Sequence, residues 1–256
     1  MNKKYILIIS LIAVVILLYT QNFFKKAEKP LIVGMMNGWV PYMHINNNGQ
    51  MEGFDVDIVK EIEKITKKNI IIKDLGSLSS LFIALEQNTV DAILSGLDVT
   101  QKRKESYDFI LYGGDKTKLT QFYCITKKNG PKNENDLINN SYNIGLESAL
   151  SWESTLNKYE NINKIYTSST AEMLLQLQQD KIDAFFIDPV NVNRLIKNTP
   201  ELNYFAIDID ESVKIDGIGI FIKKGNTDIK ELLENAVKQL TEKNIIDFLI
   251  NKWQLI

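Results

Sequence analysis

Short apolar runs alternate with longer amphipathic segments from Pro30 to the end of the chain. Apolar runs of roughly four to eight residues are typical of buried strands, and apolar residues that recur every three or four positions are typical of helices. The segment 54–66 is the clearest helix, because its apolar positions Phe54, Ile58, Ile62 and Ile65 lie on one stripe. The alternation of strands and helices predicts an α/β protein.

The alternating pattern forms two successive βαβαβ units. The first combines strands at 31–35, 69–73 and 90–94 with helices at 54–66 and 78–87; the second combines strands at 142–146, 164–166 and 184–187 with helices at 151–159 and 170–179. A strand at 119–126 separates the units, and a strand at 217–223 and a helix at 228–239 complete the chain. We therefore predict two α/β lobes, the first formed by residues 30–114 and 215–256 and the second by residues 115–214.

The N-terminal segment has the pattern of an export signal. Lys3 and Lys4 precede an apolar run at 5–19, and polar residues follow at 20–22. We expect residues 1–29 to be either a signal peptide or an N-terminal membrane anchor, because the run is long for a signal core and short for a membrane span. No small-residue cleavage site stands out and no cysteine follows the run, so lipid attachment is not predicted. The expected location is the periplasm or the extracytoplasmic face of the membrane.

Composition excludes several classes of function. The 30 basic and 32 acidic residues give a net charge of -2, and no basic patch predicts a nucleic-acid partner. Cys124 is the only cysteine, so no disulfide forms within the chain, and it is predicted to be a buried strand residue. His44 is the only histidine and is predicted to lie in a loop. Because no metal cluster, histidine-activated nucleophile or phosphate-binding loop is evident, we predict no cofactor, no metal and no catalytic residue.

Four segments, in order and spacing, carry a resemblance to a known family. They are LIVGMMNGWVPYMHINNNGQMEGFDVDIVKEI, VDAILSGLDVTQKRKESYDF, KIDAFFIDP and GIGIFIKKGN. The chain resembles the extracytoplasmic solute-binding proteins of polar amino acid ABC transporters. The resemblance implies the type II periplasmic-binding-protein fold, in which a two-stranded hinge joins two α/β lobes. It also implies a monomer that binds an amino acid by hinge closure and delivers it to a membrane permease.

The resemblance assigns the charged groups of an amino acid to particular residues. Arg103 matches the arginine that grips the ligand carboxylate with its guanidinium fork, and Asp188 matches the aspartate that receives the ligand ammonium. Ser95 and Gly96 lie at a strand end, where backbone groups can add hydrogen bonds. Ser151 is predicted to open a helix whose N-terminus and hydroxyl both meet the carboxylate. Without the resemblance, Arg103 is read as a solvated helix residue, Asp188 as a turn residue and Ser151 as a plain helix cap.

The ligand side chain is expected to meet a second set of residues. Trp39 matches the aromatic residue that stacks on the side chain, and Leu78 matches the opposing apolar wall. Asp98 and Glu147 stand at positions that face the side chain, and the aspartate in GLDVT resembles arginine-binding members of the family. Two carboxylates and an aromatic ring suit a cation, so we predict a basic, arginine-like ligand. Met36 departs from the pattern, because several basic-amino-acid binders have an acidic residue there, and a neutral polar ligand stays open.

Two other functions fit the same fold. One is an enzyme similar to cyclohexadienyl dehydratase, in which Glu147 would act as a general acid. The other is a membrane-tethered amino acid sensor, which a retained N-terminal helix would favour. The zwitterion-like match of Arg103 and Asp188 favours binding over both alternatives.

Overall fold

The structure is a computed structural model that describes residues 29–113 and 117–255. The predictions for the N-terminal segment, a signal peptide or anchor, concern residues outside this range except for Lys29. No helix within the described ranges combines the length and the apolar character needed to cross a membrane.

Strands and helices alternate along the described chain. The strands are β1 (Leu31–Met35), β2 (His44–Ile45), β3 (Met51–Glu52), β4 (Ile70–Asp74), β5 (Ala92–Ile93), β6 (Asp98–Thr100), β7 (Tyr107–Leu111), β8 (Gln121–Thr126), β9 (Tyr142–Glu147), β10 (Ile162–Thr167), β11 (Ala184–Ile187), β12 (Asn203–Asp208) and β13 (Ile215–Lys223). The α-helices are α1 (Phe54–Thr66), α2 (Leu78–Glu86), α3 (Gln101–Ser106), α4 (Glu134–Asn139), α5 (Thr170–Gln178), α6 (Pro189–Asn198), α7 (Thr227–Glu242) and α8 (Ile245–Lys252). A 3₁₀ helix spans Glu153–Lys158.

Two sheets of similar topology form the centres of two lobes. The first has the order β4-β1-β5-β13-β6, with β7 also pairing with β13, and the second has the order β10-β9-β11-β8-β12. In each sheet the first three strands are parallel, and a strand from elsewhere in the chain pairs antiparallel with the third. Each order places the first strand of the set in the middle: the chain passes from β1 to β4 on one side and then to β5 on the other, and it passes in the same way from β9 to β10 and then to β11. Such a reversal creates a crevice at the carboxyl ends of the strands.

Alternating side chains of the first sheet face two separate cores. Ile220 and Ile222 face the core that α1, α7 and α8 cover, whereas Phe221 faces the core that α2 covers. This follows from the period of two along a strand. The predicted apolar stripe of α1 packs into the first of these cores, where Phe54 and Ile58 are fully buried. The burial of these faces holds α1 and α2 beside the strand ends that carry the site.

The second sheet is also covered on both faces. Phe186 and Cys124 face a core that includes Trp152, whereas Phe185 and Ile125 face the core beneath α5 and α6. Cys124 is fully buried in β8, as the sequence predicts, and burial raises the pKa of its thiol. Two apolar cores in each lobe make both lobes three-layered α/β units.

Two of the predicted elements are wrong. The predicted helix at 151–159 is a short 3₁₀ helix that begins at Glu153, with Trp152 at its N-terminal boundary and no side-chain cap. His44 lies in β2 rather than in a loop, where it pairs with Glu52 in β3. The lobe boundaries near residues 114 and 215 stay a prediction, since residues 114–116 lie outside the described ranges.

Candidate functional site

Most of the predicted site residues lie at or after the carboxyl ends of parallel strands in the two sheets, whereas Asp98 begins the antiparallel β6 and Arg103 lies in α3. Eight of the nine line one small cavity, and the ninth, Glu147, lines a neighbouring one: the eight are Trp39, Leu78, Ser95, Gly96, Asp98, Arg103, Ser151 and Asp188. The small cavity, called the central cavity below, has a volume of about 20 Å³. That is room for about one water molecule. Groups from the two lobes therefore contact one another directly here.

Arg103 occupies the short helix α3 and points its guanidinium across the cleft. The hydroxyl of Thr100 caps this helix by accepting a hydrogen bond from the Arg103 N–H at 3.3 Å. Nη1 of Arg103 donates to the Asp98 carbonyl at 2.7 Å, and Nη2 donates to the Ala149 carbonyl of the second lobe at 2.9 Å. The guanidinium carbon also lies 4.9 Å from the centre of the Phe82 ring. Burial lowers the pKa of Arg103, and the carboxylates of Asp98 and Asp188 counteract this.

Asp98 connects the two lobes through its side chain. It begins β6, and its Oδ2 accepts a hydrogen bond from the Ser151 hydroxyl of the second lobe. Burial raises the pKa of Asp98, whereas Arg103 and the Ser151 hydroxyl oppose the rise. The expectation that Ser151 caps a helix is wrong, because the 3₁₀ helix begins two residues later and the hydroxyl donates to Asp98 instead.

Asp188 follows β11 directly and precedes Pro189 at the start of α6. Its side chain does not cap this helix; Oδ1 accepts a hydrogen bond from the Trp152 Nε1–H at 2.9 Å. Trp152 is fully buried and stacks on Phe122 with ring centres 4.1 Å apart, which fixes its donor in place. Burial raises the pKa of Asp188 to about 7, and the nearby Asp98 adds to the rise. Sequence reasoning missed Trp152, which falls within the helix predicted at 151–159 and gives no separate signal of a site residue.

Ser95 and Gly96 are held from within the first lobe. The Ser95 hydroxyl accepts a hydrogen bond from the Met36 N–H at 2.8 Å. The Gly96 N–H donates to Oδ2 of Asp55 at 2.7 Å, so the predicted extra backbone donor at Gly96 is already engaged in this arrangement. Gly96 has a φ of 58°, and an added Cβ would lie 2.5 Å from the Tyr42 ring, so both backbone and space require glycine.

Asp55 lines neither cavity but accepts a hydrogen bond from Gly96, which lines the central cavity, and sequence reasoning missed this support. It is fully buried at the start of α1, and its two carboxylate oxygens accept hydrogen bonds from the Gly96 N–H and from the Tyr112 hydroxyl, each at 2.7 Å. Burial raises its pKa to about 7. An acidic residue within the buried stripe of α1 was the available signal, because a buried carboxylate requires hydrogen-bond donors.

Trp39 and Leu78 form the apolar wall of the central cavity. Trp39 follows β1 and forms an isolated bridge with Met43, and Leu78 is the first residue of α2. Both side chains pack in the core cluster that contains Met36, which is almost fully buried. Trp39 and Leu78 therefore give the central cavity one apolar side.

Glu147 lies at the end of β9 and lines a second cavity of about 330 Å³, called the side cavity below. Leu78 lines both cavities. Burial raises the pKa of Glu147 to about 8, the nearby Asp188 adds to the rise, and hydrogen bonds from Thr170 oppose it. Oε2 of Glu147 has no hydrogen-bond partner. The side chain therefore lies beside the charged cluster rather than inside it.

The described residues contain no group of three or more histidine, cysteine, aspartate or glutamate side chains placed to hold a metal ion. The site is instead one guanidinium surrounded by carboxylates at the interface of two α/β lobes. This arrangement defines a two-lobed binding protein for a small charged solute.

Comparison with known proteins identifies the family. The model of the bacterial extracellular solute-binding proteins, family 3, matches residues 31–255. The chain belongs to this family, and its fold is the type II periplasmic-binding-protein fold.

Individual relatives are distant in sequence and similar in fold. The probable ABC transporter arginine-binding protein ArtJ of Chlamydia trachomatis is 24% identical over 232 residues, which cover 90% of this chain and 88% of the relative. A periplasmic binding protein of Salmonella typhimurium with high arginine specificity has a TM-score of 0.78 and 21% identity, covering 88% of this chain and 99% of that chain. The arginine-, lysine-, histidine-binding protein ArtJ of Geobacillus stearothermophilus has a TM-score of 0.70 and 24% identity, and the match covers 88% of this chain and 95% of that chain.

Proposed function

We propose that this protein is the extracytoplasmic binding component of an amino acid ABC transporter and that its ligand is a basic amino acid such as arginine. It acts as a monomer, closes on the ligand without transforming it, and presents the closed form to a membrane permease. The names of the relatives above support this proposal, because they specify arginine alone or arginine with lysine and histidine.

The observation that carries the proposal is the meeting of Arg103, Asp98 and Asp188 around one cavity. A free amino acid presents a carboxylate and an ammonium, and both must be paired when they are buried. The Arg103 fork suits the carboxylate, and Asp188 suits the ammonium. Trp39 and Leu78 provide an apolar path for the side chain.

The balance of charge favours a basic ligand. Arg103 supplies one positive charge, whereas Asp98, Asp188 and Glu147 supply three negative charges when ionised. A neutral amino acid would leave the excess negative charge unchanged, whereas a basic one brings an additional cation. The raised pKa values of Asp188 and Glu147 have the same origin, since burial without enough positive charge disfavours ionisation.

Ligand entry requires the lobes to separate. The hydrogen bonds from Arg103 to Ala149 and from Ser151 to Asp98 cross the cleft, and the central cavity of about 20 Å³ is far smaller than an amino acid. Closure on a ligand replaces contacts of this kind with contacts to the ligand. A ligand that bonds better to the closed form shifts the population toward it.

A ligand screen tests the proposal. The melting temperature of the protein is measured with each common amino acid, and the ligand is recovered afterwards and analysed. We expect the largest increase with arginine or lysine and unchanged ligand at recovery; a free ligand concentration 100 times the Kd adds about 2.7 kcal/mol to the free energy of unfolding. The absence of any increase would overturn the proposal, and a chemically altered ligand would favour the enzyme.

A further inference from the structure

Asp188 stands at the position of a helix cap, but its side chain does not act as one. It directly precedes α6, and its backbone has the extended conformation of an N-cap residue. Aspartate at this position commonly accepts a hydrogen bond from a backbone N–H in the first turn of its own helix. Here the backbone carbonyl of Asp188 accepts from the Asn191 N–H, whereas the side chain makes no capping bond. The carboxylate is therefore engaged elsewhere.

Trp152 is the partner that the Asp188 carboxylate has instead. Its Nε1–H donates to Oδ1 of Asp188 at 2.9 Å. The indole ring lies nearly parallel to the Phe122 ring, with 6° between their planes, and it also meets the Phe186 ring edge-on. Trp152 and both of these phenylalanines are almost completely buried. Because rings from β8 and β11 hold the indole on two sides, its N–H is a donor with a fixed direction.

The hydrogen bond between Trp152 and Asp188 lies within the second lobe. Trp152 packs in one core of the second sheet, and Asp188 directly follows β11 of the same sheet. The bond from Ser151 to Asp98, by contrast, crosses the cleft and must break when the lobes separate. Burial raises the pKa of Asp188, and the hydrogen bond from Trp152 opposes this rise, which favours the ionised form that an ammonium needs. Trp152 can therefore orient Asp188 before a ligand arrives.

We propose that Trp152 is a positioning residue for ligand recognition: its Nε1–H keeps the Asp188 carboxylate beside the central cavity instead of at the N-terminus of α6 as a helix cap. This inference rests on the proposed function and deepens it, because Asp188 is the residue proposed to receive the ligand ammonium. Trp152 engages Oδ1, so Oδ2 is the oxygen that binds the ammonium. Trp152 then acts through Asp188 and affects only ligands that carry an α-amino group.

The test compares arginine with δ-guanidinovalerate, which is arginine without its α-amino group. Titration calorimetry measures the affinity of arginine directly, and that of the weaker ligand by competition with arginine, for the unchanged protein and for Trp152→Phe. Phenylalanine keeps an aromatic ring against Phe122 and removes the N–H. We expect Trp152→Phe to weaken arginine binding roughly tenfold or more, because a hydrogen bond to a charged group is lost. Binding of δ-guanidinovalerate should change little, since it has no ammonium for Asp188 to receive.

Trp253→Phe is the matched control. The Trp253 Nε1–H also donates to an aspartate, Asp57, at 2.9 Å, but this pair lies in the first lobe and lines neither of the two cavities. The variant loses the same kind of hydrogen bond away from the site. Both affinities should therefore stay within about twofold of those of the unchanged protein.

The possible outcomes separate this inference from the proposed function. If Trp152→Phe weakens both ligands by the same factor, Trp152 supports only the shape of the second lobe, and the inference is wrong even though the protein binds amino acids. An unchanged affinity for arginine would also overturn it. If no amino acid binds to the unchanged protein, the proposed function fails and this inference with it. If Trp152→Phe does not fold, a tryptophan analogue with sulfur in place of the indole N–H, incorporated at this position, removes the donor and keeps the ring.

Discussion

The two lobes differ in whether the polar groups near the cleft have hydrogen-bond partners. In the first lobe the Ser95 hydroxyl accepts from Met36, Asp55 accepts from Gly96 and Tyr112, and one arm of Arg103 donates to Asp98 of the same lobe. In the second lobe, Glu147 and Thr167 each have a buried oxygen without a partner. Ser95 and Asp55 are thus paired within the first lobe, Arg103 and Asp98 also bond across the cleft, and the two unpartnered oxygens near the cleft belong to the second lobe.

This difference indicates a division of roles. A network whose donors and acceptors are all satisfied holds a fixed geometry without a ligand, which reduces the entropy lost on binding. Unpartnered buried oxygens make the ligand-free closed form less stable, so a donor from the ligand restores their hydrogen bonds. Under the proposed function, the first lobe would serve as a preorganised surface, and the second lobe would supply contacts that the ligand completes.

The largest expected effect concerns Arg103, the charged group that the first lobe holds in place. Arg103→Ala should weaken amino acid binding roughly a hundredfold or more, because the buried ligand carboxylate loses its partner. Arg103→Lys keeps the charge but loses the fork, and we expect it to restore only part of the affinity. Titration calorimetry with arginine measures both effects.

The matched control is Lys102→Ala, which removes an exposed cation one residue away on the same helix. Its affinity should stay within about twofold of the unchanged protein, since exposed charges contribute little. Full affinity in Arg103→Ala would show that the carboxylate binds elsewhere, and the contrast between the lobes would then lose its functional meaning.

A second prediction tests whether Asp55 preorganises the first lobe. Asp55→Ala leaves the Gly96 N–H and the Tyr112 hydroxyl without their acceptor, and we expect the free energy of unfolding to fall by about 2–4 kcal/mol. Urea denaturation measures the loss. Glu61→Ala on the same helix removes only a surface ion pair with Lys64 and should cost less than about 0.5 kcal/mol. Equal losses in the two variants would mean that the first lobe is not held through Asp55.

The general position of the site was predictable from the sequence, because parallel strands in an α/β fold direct their following loops to one crevice. Trp39 after β1, Ser95 and Gly96 after β5, and Asp188 after β11 all follow from this rule. The motif resemblance was needed for Arg103, because a six-residue helix is too short to show periodicity and its neighbours are lysines.

Other features depend on contacts that no local pattern encodes. The hydrogen bond between Asp55 and Gly96 joins residues 41 positions apart, and the Trp152 donor reaches Asp188 across 36 positions. The helix start at Ser151 was mispredicted because a capping residue and a residue just ahead of a 3₁₀ helix have the same local sequence. Thr167 gave no signal, since a threonine at a strand end is ordinary and only the burial of its hydroxyl distinguishes it.

The smallest expected effect is a dependence of stability on pH. A bound ligand should remove the part of this dependence that comes from the second lobe and leave the part that comes from the first lobe. Burial raises the pKa of Glu147 to about 8 and those of Asp188 and Asp55 to about 7, above the values of an unfolded chain near 4. Between pH 5 and pH 8 the folded state therefore holds more protons than the unfolded state, so the free energy of unfolding falls as the pH rises. The melting temperature of the ligand-free protein should fall by roughly a few degrees over this range.

A saturating concentration of arginine should remove only part of this fall in melting temperature with rising pH, which is called the slope below. A bound cation favours the ionised forms of Glu147 and Asp188, which returns their pKa values toward normal. The carboxylate of Asp55 accepts its hydrogen bonds from Gly96 and Tyr112 of the first lobe, so it keeps its raised pKa. Glu147→Gln should lower the slope of the ligand-free protein and reduce the additional flattening that arginine produces. Asp55→Asn should lower the slope equally with and without arginine. If arginine left the slope of melting temperature against pH unchanged, the second-lobe carboxylates would not contact the ligand. The difference in hydrogen bonding between the two lobes would then have no role in binding.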